Sequence, residues 1–151
     1  MEFAPKDLNF ANRVRASFAR QRVMQTLAVE IVGLKPGRVE LRMPFALEFT
    51  QQHGFVHAGI IATVLDSACG YAAFSLMPAD AAVLTVEFKT NLIAPAKGEQ
   101  FVFRAQVLKP GKTLTVCDAH AFALDRSREE RLVATMTGTL MAVFDREGVK
   151  H

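Results

Sequence analysis

Cysteine is scarce in this 151-residue chain: Cys69 and Cys117 are the two, and both lie in apolar stretches with no pairing pattern. That spacing excludes a disulfide scaffold and reads as reduced core thiols in a cytoplasmic protein. Net charge is equally modest, at +3, which suits an anionic small molecule and is too weak for a nucleic-acid partner. Met1 to Arg20 carries scattered charges and no apolar central region, so it does not read as a secretory signal. There is no His-Glu-x-x-His, no Cys-x-x-Cys, no glycine-rich phosphate loop and no Gly-x-Ser-x-Gly. The sequence therefore implies no metal and no cofactor. It also lacks internal repeats and low-complexity segments. Half of its residues are apolar, enough for a single domain with a real core.

What is present is one long apolar run. From Ala58 to Met77 the chain reads as a helix that is hydrophobic on nearly every side, and such a helix is buried all round. It approaches the length of a membrane span. Thr63, Asp66 and Ser67 inside it, and the lack of a second span, argue instead for a helix wrapped by a sheet. Asp66 sits mid-helix. A buried carboxylate is costly unless it is paired or its pKa shifts, so it marks a candidate site. His57 and Gly59 mark the helix start, where the first-turn amides have no partner within the helix. Pro78 ends the run.

The remaining elements follow from periodicity. Pro5 to Thr26 reads as one amphipathic helix, with Asp7 able to cap it and Phe10, Val14 and Phe18 on one face. Arg13, Arg15, Arg20 and Arg22 lie off that face, as a solvated surface or as a basic lid. Leu27–Leu34 and Arg38–Met43 are strands joined by a Lys35-Pro36-Gly37 turn. After the helix come four strands, Val83–Ile93, Gln100–Leu108, Thr113–Leu124 and Leu132–Phe144, expected as an antiparallel meander. The fold class is α+β: a curved antiparallel sheet around one long buried helix. Residues 1–26 form an N-terminal helical extension and residues 27–151 the main domain.

Gln51, His57-Ala58-Gly59 and Asp66, at intervals of six and nine residues, resemble the signature of hotdog-fold acyl-CoA thioesterases of the phenylacetate-pathway (PaaI) type. Asn91-Leu92-Ile93-Ala94-Pro95-Ala96 followed by Gly98-Glu99 is similar to that family's strand and turn after the helix. Ala58 departs from the family's usual glycine but keeps its N–H. The resemblance implies the hotdog fold, hydrolysis of a small aromatic or medium-chain acyl-CoA, a place in phenylacetate degradation, and a homodimer or homotetramer with shared sites. It also implies roles for Gln51, as the side chain holding the lytic water or the carbonyl, and for Thr85 near the catalytic acid.

Thioester cleavage needs donors facing the developing oxyanion and a base or nucleophile. The amides of Ala58 and Gly59 fit the first need, aided by the helix dipole. Asp66 fits the second, as nucleophile or general base. Ala58 and Asp66 are about 12 Å apart along one helix, at ~1.5 Å per residue, so one carbonyl cannot touch both. If both act, they come from two chains related by a two-fold axis. For His57, a structural hydrogen bond to loop backbone and a direct catalytic role both remain open. Tyr71, Phe74 and Met77 are core residues or liners of an acyl pocket. Lys89, Lys97, Arg104, Lys109 and Lys112 are candidate cations for the phosphates of coenzyme A. Two other readings share the fold: a non-catalytic acyl-CoA binder or sensor that uses the same groove, and a hydroxyacyl-thioester dehydratase. The motifs of the second are absent.

Overall fold

The structure, a computed structural model, describes residues 2–149. Two short helices come first, α1 (Phe10–Phe18) and α2 (Arg22–Thr26). Strands β1 (Glu30–Lys35) and β2 (Arg38–Pro44) follow, and a 3-10 turn at Leu47–Phe49 leads to the long helix α3 (Ala58–Phe74). Four strands complete the chain: β3 (Ala82–Leu92), β4 (Gln100–Lys109), β5 (Leu114–Leu124) and β6 (Glu130–Val143).

The N-terminal helix expected over Pro5–Thr26 is broken. Gln21 is extended, with φ −80° and ψ 95°. The reason is the apolar pattern. Val14 is fully buried and Phe18 packs on the core, but Met24 and Leu27 would lie off that stripe on a straight helix. Redirecting the chain at Gln21 buries both. Asp7 does not cap α1 from the N-cap position, which Asn9 holds; its Oδ1 accepts from the Asn9 amide at 2.8 Å.

Arg13 also departs from expectation. It is neither a lid residue nor part of a solvated face, because its side chain is only 13% exposed. Nη2 donates to the carbonyls of Met77 (2.7 Å) and Phe74 (3.3 Å), and the guanidinium lies 4.1 Å from the centre of the Phe74 ring. Asp7 holds Nε at 2.8 Å. A cation at the carboxyl end of α3 meets open carbonyls and the negative end of the dipole.

The sheet has six antiparallel strands in the order β1-β2-β4-β5-β6-β3. The expected four-strand meander is therefore only partly realised. β4, β5 and β6 follow one another, but β3 pairs with β6 and β2 takes the place beside β4. The linker after β3 does not make a hairpin. It crosses the amino end of α3, where the Ala96 carbonyl accepts from the Val56 amide at 3.0 Å. The β1–β2 hairpin is as expected, and Gly37 at its turn has φ +73°, a conformation glycine adopts without strain.

Helix α3 lies in the concavity of the sheet. Phe101, Phe103, Cys117, Ala119, Ala121, Met136 and Leu140 face it from β4, β5 and β6 and are fully or almost fully buried. The side chains are small where the helix comes closest: a Cβ on Gly138 would meet Cys69 at 3.6 Å. Both cysteines are free and buried. Burial, aided by the nearby Asp118 charge, pushes the Cys117 thiol up to about 12, and burial raises Cys69 as well, so both are inert packing. All-round burial of α3 holds only from Tyr71 onward. Before it Gly59, Thr63, Asp66 and Gly70, at helical spacing, form a strip that the chain leaves partly uncovered.

Among the described residues no helix is long and apolar enough to cross a membrane. Among the described residues no cluster of three or more His, Cys, Asp or Glu side chains is placed to hold a metal ion.

Candidate active site

The loop entering α3 is built by its own hydrogen bonds. The Gln51 amide donates to the Phe55 carbonyl (2.8 Å), the Gly54 amide donates to the Gln51 carbonyl (2.9 Å), and Thr50 bridges to Val56. Gly54, at φ +80°, makes this turn possible. The Gln51 side chain is used here too, since its Oε1 accepts from the His53 amide. In this structure, then, Gln51 caps a loop.

His57 is the N-cap of α3, and its Nδ1 accepts from the Gly59 amide at 2.9 Å. A ring nitrogen that accepts carries no proton, so neutral His57 bears its proton on Nε2. The amides of Ile60 and Ile61 donate to the His57 carbonyl at 2.9 and 3.2 Å. Of the two expected oxyanion donors, Gly59 is therefore occupied. Among the described residues the Ala58 amide has no acceptor. Ala58 lines a cavity of about 570 Å³ together with Gln51, His57, Ile61 and Leu92 to Ala96.

Asp66 is half-buried, two turns further along α3. The Thr85 hydroxyl, on β3, donates to its Oδ1 at 2.8 Å. A bulge between Thr85 and Glu87 sets the local register, so that Thr85 pairs with buried Leu140 on the helix side of the sheet. Burial raises the Asp66 carboxyl above its ordinary value, and the Thr85 bond pulls it part of the way back. Among the described residues no cation lies within ion-pair distance of it. Asp66 and Thr85 line a small cavity of about 100 Å³ with Gln21, Ser67, Gly70, Tyr71 and Val83. No residue lines both this cavity and the one at Ala58. Within one chain Ala58 and Asp66 therefore line different spaces.

The other expected site residues are placed as follows. Tyr71 reaches the Asp66 cavity but is largely packed; its hydroxyl lies 3.3 Å from Ser17 Oγ and its ring meets Phe18 and Phe74 edge-on. Phe74 and Met77 are core. Lys89 is exposed and, opposite exposed Thr137, stands on the sheet face away from α3, so it does not join Asp66. Arg104 is committed elsewhere: Glu40 holds Nε at 2.7 Å and Glu130 holds the other two nitrogens at 2.7 and 2.6 Å. Lys109 and Lys112 are exposed near the β4–β5 turn. Lys97 lines a separate cavity of about 870 Å³ with Arg126 and Arg131.

Gln21 was not anticipated. It lies 46 residues before Ser67, whose hydroxyl donates to its Oε1 at 3.2 Å. Nothing in the local pattern around Gln21 signals this, because the contact exists only once the N-terminal helices have docked on α3.

Comparison with known proteins identifies the family and the fold. The sequence model of the Thioesterase superfamily matches residues 53–130. The crystal structure of a thioesterase family protein from Silicibacter pomeroyi is 64% identical, covers 89% of this chain and 98% of its own, and superimposes with a TM-score of 0.88. Acyl-coenzyme A thioesterase 13 of Homo sapiens is 34% identical over 87 residues, 57% of this chain and 61% of the human protein. The E. coli PaaI protein from the phenylacetic acid degradation operon, at 18% identity, shares the fold, with a TM-score of 0.79 over 94% of this chain and 96% of its own. The chain thus belongs to the thioesterase superfamily, as a thioester hydrolase of the hotdog fold.

Proposed function

We propose that this protein hydrolyses a small aromatic or medium-chain acyl-CoA to the free acid and coenzyme A, at sites shared across a homodimer. The observation that carries this reading is the separation of the open Ala58 amide from the Asp66–Thr85 pair into two cavities. A second chain related by a two-fold axis joins them. Two features support such a partner. β3 is an edge strand whose Leu84, Val86, Phe88 and Leu92 are exposed, and an apolar open edge invites pairing. The uncovered strip at Gly59, Thr63, Asp66 and Gly70 lies on the helix beside it. Antiparallel pairing of two β3 strands sets the helices face to face, with Asp66 of one chain towards Ala58 of the other.

In the shared site the Ala58 amide, at the positive end of the helix dipole, binds the thioester oxygen as it gains charge. Asp66 acts in one of two ways. As a base it takes a proton from water while the water oxygen bonds to the carbonyl carbon; as a nucleophile it bonds to that carbon itself and water then cleaves the anhydride. In either case the carbon–sulfur bond breaks and the thiol leaves with a proton. Gly59 becomes a second donor when His57 Nδ1 releases its amide. Gln51 reaches water or the carbonyl when it releases the His53 amide. Lys89, Lys97, Lys109 and Lys112 are the cations open to the phosphates of coenzyme A. The protein works without a cofactor, in the cytoplasm, and the acyl class fits phenylacetate degradation.

The test is thiol release from a panel of aromatic and aliphatic acyl-CoA thioesters, with Asp66→Asn beside the wild type. Turnover that falls at least ~100-fold in the variant, the scale for a positioned base, supports the reading. Equal turnover in both proteins contradicts it.

A further inference from the structure

The cavity beside Asp66 has a wall that does not come from the sheet or from α3. Gln21 supplies it from the break between α1 and α2. Its backbone is fixed on both sides: its amide donates to the Phe18 carbonyl at 3.0 Å, and its carbonyl accepts from Met24 (3.0 Å) and Gln25 (3.3 Å). Ser67 holds Oε1, which turns the side chain over. Among the described residues the two N–H groups on Nε2 have no acceptor. They belong to a side chain that lines the same small cavity as Asp66.

Gly70 keeps this space open. It lies on the same strip of α3 as Asp66, and a Cβ built on it meets nothing within 4 Å. Packing does not require glycine there, and glycine disfavours a helix interior. The space that one chain bounds there is about 100 Å³. An acyl end that is wholly apolar leaves the Gln21 N–H groups without a partner when it displaces water. An acyl end that carries an oxygen gives them one.

We infer that Gln21 is a specificity-determining residue, and that the site prefers acyl groups bearing a hydrogen-bond-accepting oxygen beyond the reacting carbonyl. This rests on Asp66 being the reacting carboxylate of a thioesterase site. The chemical class is that of hydroxy- and oxo-acyl thioesters. The N-terminal helices, latched to the end of α3 by Arg13, thereby belong to the substrate site rather than to its surroundings.

The experiment compares kcat/KM on 3-oxobutyryl-CoA and butyryl-CoA, which differ by an oxo group in place of two hydrogens. Intrinsic reactivity differs between the two thioesters, so the quantity compared across proteins is their ratio. Gln21→Glu keeps the shape and the acceptor for Ser67 but replaces the donor; Gln21→Leu removes both. The ratio of oxo to unsubstituted substrate is expected to fall at least ~10-fold in Gln21→Glu, the scale of one lost hydrogen bond. Gln21→Leu is expected to follow it. A ratio in Gln21→Glu within about twofold of the wild type, even if both rates drop, overturns the inference and leaves Gln21 a structural residue. Wild-type protein that cleaves neither of these nor any other acyl-CoA ends the hydrolase reading itself.

Discussion

The Thr85 hydroxyl, on the edge strand, donates to Oδ1 of Asp66 on the central helix at 2.8 Å, and this bond offsets part of the upward shift that burial gives the half-buried carboxyl. Thr85→Val is nearly isosteric and removes the donor, so the Asp66 carboxyl moves further up. The acid limb of the kcat/KM profile is then expected at higher pH than in the wild type, and Thr85→Ser is expected to restore it. An acid limb at the same pH in Thr85→Val contradicts the pairing.

Asp66 also makes stability depend on pH. Burial holds its folded carboxyl above the ordinary value of 3.8. Above that value the unfolded chain has released the proton that the folded chain still binds, so stability falls as pH rises through the folded pKa. Asp66→Asn removes this cost. The variant is expected to be more stable than wild type at pH 7, with the difference vanishing below the unfolded pKa. Urea unfolding at both pH values measures it; a variant less stable at pH 7 refutes the assignment.

Much of this architecture was legible in the sequence, and the exceptions share a cause. α3 declared itself because its apolar residues run unbroken, and Asp66 stood out against them. β2 and the Pro36-Gly37 turn followed from local alternation. The place of β3 beside β6 did not, because strand order depends on which strands cover the helix and not on what precedes them in the chain. Arg13 reads as a surface charge because the carbonyls it meets lie at and just past the end of a helix far along the chain. Gln51 and Gly59 could be named as candidates, but their engagement by the His53 amide and His57 Nδ1 is a matter of loop geometry.

Gly70→Ala separates stability from substrate range. The new methyl group meets nothing within the chain, so the helix is expected to gain about 0.5–1 kcal/mol. The same methyl narrows the Asp66 cavity, so kcat/KM is expected to fall more for bulky acyl groups than for acetyl. Thermal unfolding and a chain-length series check the two effects; a loss that is uniform across acyl lengths contradicts the cavity's role.

Arg13→Ala tests the latch on α3. It removes a charged donor from two carbonyls and a contact with the Phe74 ring, at an expected cost of about 2 kcal/mol in urea unfolding. A change below ~0.5 kcal/mol would show the contact to be incidental.

The central claim, that Ala58 of one chain and Asp66 of another make one site, is tested by mixing two inactive proteins. Ala58→Pro deletes the amide at the first helical position, where proline is well tolerated, and His57 already has the extended conformation that must precede a proline (φ −59°, ψ 137°). Alone it is expected to lose roughly 10²–10³ in kcat, the scale for one oxyanion donor. Unfolded and refolded together in equal amounts, Ala58→Pro and Asp66→Asn chains form mixed dimers in which one of the two sites is intact. The activity expected after random exchange is about one quarter of wild type. Activity no higher than that of either variant alone would show that the two groups do not act across the interface.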